Sequence, residues 1–280
     1  MMNLKKAIGS GLNSISVFAP GSIGKFTLEL FCTPIKGRKF TSRELTFLDK
    51  AEWITVDYSG KNIQCYRWGS GPKKVLLAHG FNSNAARWRL LINCLLDAGY
   101  EVVAMDVPAH GNSDWRRVNG FLYAQTLARV MARFEPDFVV GHSFAGIAFC
   151  HYFTQMTFLP VRKMILMGVP DELQDISCVF FRELGLNDRV QQAYYKAFQQ
   201  KFGYELNYFT LSNLISTIKL PGLLIHDEKD EIASFKGARK IHANWENANF
   251  LATSGLGHSL QGGIVYKAIL DFLDHSDNTI

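Results

Sequence analysis

Cysteine is scarce in this sequence, with five in 280 residues. Cys32, Cys65, Cys94, Cys150 and Cys178 are widely spaced and odd in number, and none forms a C-x-x-C pair. Five thiols cannot all pair within one chain, so a disulfide scaffold is excluded. Reduced, mostly buried thiols in a cytoplasmic protein are expected. The spacing offers no zinc-ligand pattern, and no metal site is expected. Long apolar runs are missing too. No stretch approaches the roughly 20 apolar residues of a membrane span, so no stable membrane insertion is expected. Strong charge of one sign is also absent. The net charge is +5, and the densest basic clusters are short: Lys36, Arg38 and Lys39, or Arg116 and Arg117. Nucleic-acid binders concentrate Lys and Arg in a stripe, so scattered solvated charge is expected here and no nucleic-acid partner. There is no internal repeat and no low-complexity tract.

What is present is globular in character. Apolar residues make up 48% of the chain and charged residues 20%, ordinary values that exclude a disordered or fibrous protein. The length suits one large domain or two small ones. At the start, Lys5 and Lys6 precede a partly apolar stretch, as in a secretion signal. Gly9, Ser10, Gly11, Asn13, Ser14 and Ser16 interrupt its apolar core, so that reading is rejected. Leu4, Ile8, Leu12 and Ile15 fall at helical spacing. They predict a helix packed on the main body, in preference to one that binds a membrane surface.

Residues 1–50 are expected to form a helical extension. A hairpin follows, Trp53 to Tyr58 and Asn62 to Trp68, with Gly60 and Lys61 between. Short apolar strands then alternate with helices. Strands are expected at Val75–Ala78, Glu101–Met105, Asp137–Val140, Met164–Met167, Leu223–Ile225 and Asn249–Ala252. Helices are expected at Ala85–Leu96, Leu122–Phe134, Ser143–Met156, Phe235–His242 and Ile264–Leu273. This alternation predicts an α/β fold, a mostly parallel twisted sheet with helices on both faces. Ligands of such sheets bind beyond the carboxyl ends of the strands. Between Pro170 and Pro221 no strand pattern occurs. Asp188–Phe202 and Thr210–Ile218 look helical, and aromatics are frequent, among them Phe180, Phe181, Tyr194, Tyr195, Phe198, Phe202 and Phe209. Residues 171–220 are expected to cap a core made of 51–170 and 221–280.

The strongest chemical signal is Gly141-His142-Ser143-Phe144-Ala145-Gly146, between a strand and a helix. A nucleophilic serine needs its Oγ exposed on a sharp strand-to-helix turn, and such a turn tolerates only small neighbours two residues away. Gly141 and Ala145 are small. A serine hydroxyl is a poor nucleophile without a base, and the base needs an orienting acid. In this kind of site the acid and then the histidine follow the serine in the chain. His226-Asp227-Glu228-Lys229-Asp230-Glu231 and Gly255-Leu256-Gly257-His258 both follow strands. His258, flanked by glycine, is the candidate base. His242 lies mid-helix, His226 ends a strand, and His275 is near the end of the chain. Asp230 is favoured as the acid, with Asp227 as its competitor.

An oxyanion needs backbone donors. The residue after the serine, Phe144, supplies one. His79-Gly80-Phe81, after the Val75–Ala78 strand, supplies the other at Phe81, with Gly80 allowing close approach. His79 is given a bracing role. Asp106 and His110, in Asp106-Val107-Pro108-Ala109-His110-Gly111-Asn112-Ser113, are expected to hold the shape of their loop.

In this order and spacing the motifs resemble the α/β-hydrolase superfamily, in particular a bacterial, carboxylesterase-like branch. The resemblance runs from about Trp53 to Leu273. It implies a Ser-His-Asp hydrolase of small-molecule carboxylic esters, with no metal and no organic cofactor. Thioesterase, lysophospholipase and acyltransferase chemistry would use the same triad, and a non-catalytic binder on the same fold is the reading from another class. Ser143 argues against relatives with an aspartate nucleophile, the haloalkane dehalogenases and epoxide hydrolases. Two positions depart from the family pattern: Ala145 stands for glycine and Asp227 for a small turn residue. Acyl length, physiological substrate and oligomeric state lie outside what the resemblance covers.

Overall fold

The computed structural model describes residues 4–35, 37, 39–156, 161–208 and 210–274. Lys36, Arg38, Phe209 and His275 lie outside them. Three helices come first: α1 (Leu4–Ile15), α2 (Pro20–Phe31) and α3 (Ser42–Leu48). β1 (Glu52–Tyr58) and β2 (Lys61–Trp68) form the hairpin. Its loop is Ser59 and Gly60, both at positive φ (54° and 74°), while Lys61 pairs with Tyr58. Two successive positive φ values are what a tight two-residue hairpin loop requires. The loop therefore sits one residue earlier than the sequence suggests.

The alternating part follows as β3 (Lys74–Ala78), α4 (Arg89–Asp97), β4 (Glu101–Met105), α5 (Gly120–Phe134), β5 (Phe138–His142), α6 (Phe144–Phe153) and β6 (Lys163–Met167). Then come α7 (Leu173–Leu184), α8 (Asp188–Phe202), α9 (Leu211–Ile215), β7 (Gly222–Asp227), α10 (Phe235–Asn244), β8 (Ala248–Thr253) and α11 (Gly263–Asp274). Among the described residues the sheet has eight strands in the order β1-β2-β4-β3-β5-β6-β7-β8. β1–β2 and β2–β4 are antiparallel and every other pair is parallel. The mostly parallel α/β sheet expected from the sequence is present.

Both faces of this sheet are covered, which is why its central strands show no polar alternation. Leu76, Val103 and Val139 face a cluster shared with α5, α6 and α10. Val75, Leu77, Val102 and Val140 face the opposite cluster with α3, α4 and α11. All seven side chains are fully buried.

A third, separate cluster joins α1 and α2 to α7 and α8. Leu12 and Leu28 pack there with Phe181 and Tyr194, and the Phe181 and Tyr194 rings meet edge to face at 5.1 Å. Glycine sets the spacing. A Cβ on Gly9 would lie 1.8 Å from the Leu184 carbonyl oxygen, and one on Gly24 would lie 2.2 Å from that of Ala193. The first helix therefore packs on α7, not on the main body as expected, and through its glycine face. Leu4 and Ile15 stay exposed. α9 also departs from expectation. Leu211, Ile215 and Ile218 belong to the main core, so this part of 171–220 lies under the roof formed by α1, α2, α7 and α8.

Candidate active site

The candidate side chains stand on the loops at the carboxyl ends of β3 to β8. Ser143 links β5 to α6 at φ 54° and ψ −117°, a backbone strain of order 1–3 kcal/mol for a residue with a side chain. Its neighbours hold it there. Ser143 N–H donates to the Met167 carbonyl at 2.8 Å, and Gly146 N–H donates to the Ser143 carbonyl at 2.9 Å. The turn has no spare room. A Cβ on Gly141 would fall 2.8 Å from the Phe149 ring, and one on Gly146 would fall 2.3 Å from Val169 Cγ1. Ala145, the departure from the family pattern, tucks its methyl fully buried into the core.

Ser143 Oγ lies 3.0 Å from His258 Nε2. His258 Nδ1 lies 2.8 Å from Asp230 Oδ2. The other carboxylate oxygen of Asp230 accepts from the N–H groups of Ile232 (2.8 Å) and Ala233 (2.9 Å). Burial works to raise this carboxyl. The hydrogen bond and charge of His258, with the two N–H donors, outweigh it and hold the group below the usual carboxylate range.

Asp227 does something else. It accepts from Thr253 Oγ1 (2.7 Å) and from the N–H groups of Leu256 (2.8 Å), Lys229 (3.0 Å) and Gly255 (3.2 Å). Burial opposes its charge, but these bonds prevail and keep it well below the usual range. Asp227 thus clamps the loop that carries His258, while Asp230 meets the imidazole.

The remaining histidines brace. His142 Nε2 lies 2.7 Å from the His258 carbonyl, so it donates to that oxygen, and Nδ1 is left buried without a partner. His79 Nε2 accepts from Val107 N–H (3.1 Å) and its Nδ1 donates to the Gly80 carbonyl (2.7 Å). His226 Nε2 donates to the Ala233 carbonyl (3.0 Å) and stands 3.5 Å from Asp230 Oδ2. Burial drives all three below the ordinary histidine range. His110 Nε2 accepts from Asn82 N–H at 3.0 Å, and its Nδ1 donates to the Pro108 carbonyl at 2.9 Å. Asp106 accepts from Tyr66 Oη, Ala85 N–H and Asn112 N–H. Asp106 and His110 thus hold backbone in the two loops at the ends of β3 and β4.

Gly80 lies against the serine: a Cβ there would sit 2.9 Å from Ser143 Cβ and 3.1 Å from His142 Nδ1. Phe144 is the first residue of α6, and N–H groups of a first helical turn have no acceptor within the helix. The Phe81 and Phe144 rings meet edge to face at 6.2 Å. Both residues line a mainly apolar cavity of about 380 Å³ together with Ser143 and His258. Leu28, Phe31 and Phe180 of the roof close it from above.

Arg87 was not singled out from the sequence. Its Nη2 donates to the Ser259 carbonyl at 2.9 Å, while Gln261 Nε2 donates back to the Arg87 carbonyl at 3.3 Å. The partners are more than 170 residues apart, and no local signal points to them. Among the described residues no group of His, Cys, Asp and Glu could hold a metal ion.

Residues 75–263, more than half of the chain, match the profile of the alpha/beta hydrolase family. This chain belongs to the alpha/beta hydrolase family. An esterase of Mycobacterium tuberculosis is 36% identical over 90 residues, which are 30% of this chain and 29% of the esterase. The chain matches about a third of the length of such curated relatives. An esterase of Pyrococcus furiosus superposes with a TM-score of 0.65 at 17% identity, covering 86% of this chain and 95% of that one. A membrane phospholipase A described as a bacterial virulence factor superposes with a TM-score of 0.64 at 15% identity, covering 98% and 96%. At these identities the two structures speak for a shared hydrolase fold.

Proposed function

We propose that this alpha/beta hydrolase is a serine esterase that cleaves carboxylic esters of small or medium acyl groups through an acyl-enzyme on Ser143. One observation carries the reading: the chain of contacts from Ser143 Oγ to His258 (3.0 Å) and from His258 to Asp230 (2.8 Å), on a serine at φ 54°. Ser143 Oγ attacks the acyl carbonyl as His258 Nε2 takes its proton. Asp230 keeps the proton of His258 on Nδ1 and stabilises the imidazolium, without itself taking a proton. The N–H groups of Phe81 and Phe144 bind the oxyanion, and each such donor is worth about 3 kcal/mol. His258 then protonates the leaving alcohol. Water, deprotonated by the same imidazole, attacks the acyl carbonyl; the acid leaves as His258 returns that proton to Ser143 Oγ.

The apolar lining of the cavity supports an acyl or aryl group beside the serine. The esterases and the phospholipase A among its relatives and structural neighbours support acyl chemistry. With p-nitrophenyl butyrate the protein is expected to give a burst followed by steady turnover. Ser143→Ala is expected to abolish the burst and lower kcat about a million-fold. Turnover at the wild-type rate in Ser143→Ala overturns the nucleophile. An inert wild-type protein that still binds esters favours a non-catalytic binder.

A further inference from the structure

Of the apolar stripe of the first helix only Leu12 is buried, in the third cluster. The Gly9 and Asn13 face of the helix meets α7: Asn13 Nδ2 donates to the Gly185 carbonyl at 2.8 Å, and Asn13 Oδ1 accepts from Asn187 N–H at 2.9 Å. Leu4, Ile8 and Ile15, which share the apolar face of α1, are left to solvent. Leu4 is 75% exposed, and Phe18, in the turn after α1, is 88% exposed beside an exposed Val17. Half of the large apolar side chains exposed among the described residues fall within residues 4–35. Isolated exposed apolar residues are ordinary, but such a concentration marks a contact surface.

Charge says what the surface meets. Residues 4–35 contain Lys5, Lys6 and Lys25 against one acid, Glu29, which pairs with Arg117 at 3.0 Å. Lys5 is engaged by Glu183 at 2.6 Å. Lys6 donates to the Arg182 carbonyl at 2.8 Å and keeps its charge uncompensated by that bond. α1 has 12 residues, so it is about 18 Å long, well short of the roughly 30 Å of a bilayer interior. Among the described residues no helix is long and apolar enough to cross a membrane. A short helix with an apolar face, flanked by lysine, lies in the interface of an anionic bilayer. The cavity that reaches Ser143 is also walled by Ile8 and by Ile35, itself 74% exposed.

We propose that residues 4–35 dock this protein on an anionic lipid surface. The Leu4, Ile8 and Ile15 face and the Val17 and Phe18 turn enter the headgroup boundary, and the cavity mouth beside Ile8 and Ile35 is turned toward the lipid. This docking does not depend on the chemistry proposed at Ser143.

The test is flotation of the full chain with vesicles of phosphatidylglycerol and phosphatidylcholine, against vesicles of phosphatidylcholine alone. Wild type is expected to float with the anionic vesicles, and less so as salt rises. The double variant Val17→Ser/Phe18→Ser is expected to lose about tenfold or more in partitioning. Lys25→Gln is expected to lose about fivefold. Both variants should keep the circular-dichroism spectrum and thermal midpoint of wild type, which shows that they are folded. Wild type that stays unbound with anionic vesicles overturns the proposal, as does a double variant that floats like wild type. A vesicle-independent dimer that the double variant renders monomeric assigns the face to a second copy and likewise overturns it.

Discussion

The loops at the carboxyl ends of the strands and the helical roof above them are built by opposite means. In the loops the buried carboxylates and histidines are tied to backbone by hydrogen bonds. Asp227 takes four hydrogen bonds, Asp106 three, and His79 and His110 two each. The interior of the roof is held by aromatic edges and glycine contacts, with polar bonds from Lys5, Lys6 and Asn13 at its rim, and one of its helices turns an apolar face outward. Hydrogen bonds fix angles to within narrow limits, whereas apolar packing fixes volume and tolerates rearrangement. The difference teaches which part determines the reaction and which part determines what reaches it. On the function proposed above, geometry in the loops sets the chemistry and shape in the roof sets the acyl group.

The largest effects are expected within one loop. Asp230→Asn is expected to lower kcat about ten-thousand-fold while leaving the thermal midpoint near wild type, because the imidazole loses its tautomer control. Asp227→Asn is expected to do the reverse. It should cost about 2 kcal/mol of stability, measured by urea unfolding, with a far smaller loss of kcat, since a clamp is weakened and no reacting group is removed. If the two variants exchanged these phenotypes, the two aspartates would have to exchange roles.

Gly80→Ala comes next in expected size. Its methyl would meet Ser143 Cβ at 2.9 Å. A displacement of that order beside the proposed nucleophile is expected to lower kcat/KM about a hundred-fold. The same change at Gly203, where a Cβ would meet nothing within 4 Å but φ is 79°, should affect stability only. A loss of activity in Gly203→Ala equal to that of Gly80→Ala would mean that general destabilisation, and not crowding of Ser143, is being measured.

Acidification separates the two regions by stability. His79, His142 and His226 are buried around the loops with their pKa values driven down by burial. For a group whose folded pKa is depressed, the unfolded chain binds the proton first. The stabilisation is therefore complete above the unfolded value of about 6.5 and is lost as pH falls from there toward the folded value. Each histidine adds a slope of up to about 1.4 kcal/mol per pH unit. Thermal midpoints are expected to fall between pH 6.5 and 5, above the range where carboxylates titrate, and His226→Gln should flatten the curve. A midpoint unchanged over that range would contradict the buried neutral histidines.

The smallest expected effect lies in the roof. Phe180→Ala widens the cavity without touching the loops. It should shift the preferred p-nitrophenyl ester toward longer chains by less than about tenfold in kcat/KM, with acetate turnover unchanged.

The same contrast decided how much could be read from the sequence. The turn around Ser143, the loop of His258 and the order of the strands are written in contiguous residues, Gly141 to Gly146 and Gly255 to His258, and the apolar strands are short and unbroken. Asp230 could be preferred over Asp227, but the clamp that Asp227 makes joins residues 26 to 29 positions apart and leaves no local trace. Arg87 is harder still, since its partner lies at Ser259. In the roof, the spacing of Leu4, Ile8, Leu12 and Ile15 identified a helix, but which face it would bury depended on Gly9 and Asn13 meeting α7. The pattern that sequence shows most clearly, an apolar stripe, was the stripe the fold left largely outside. α9 was misplaced for a similar reason: an apolar pattern does not say whether its partner is the core or the roof.

Labelling with a fluorophosphonate probe, read by mass spectrometry of the intact protein and its peptides, tests the central claim most directly. One probe per chain is expected, attached to Ser143, with labelling abolished in Ser143→Ala and strongly slowed in His258→Ala. Ester turnover by a protein whose Ser143 remains unlabelled, or labelling that persists in Ser143→Ala, would contradict it.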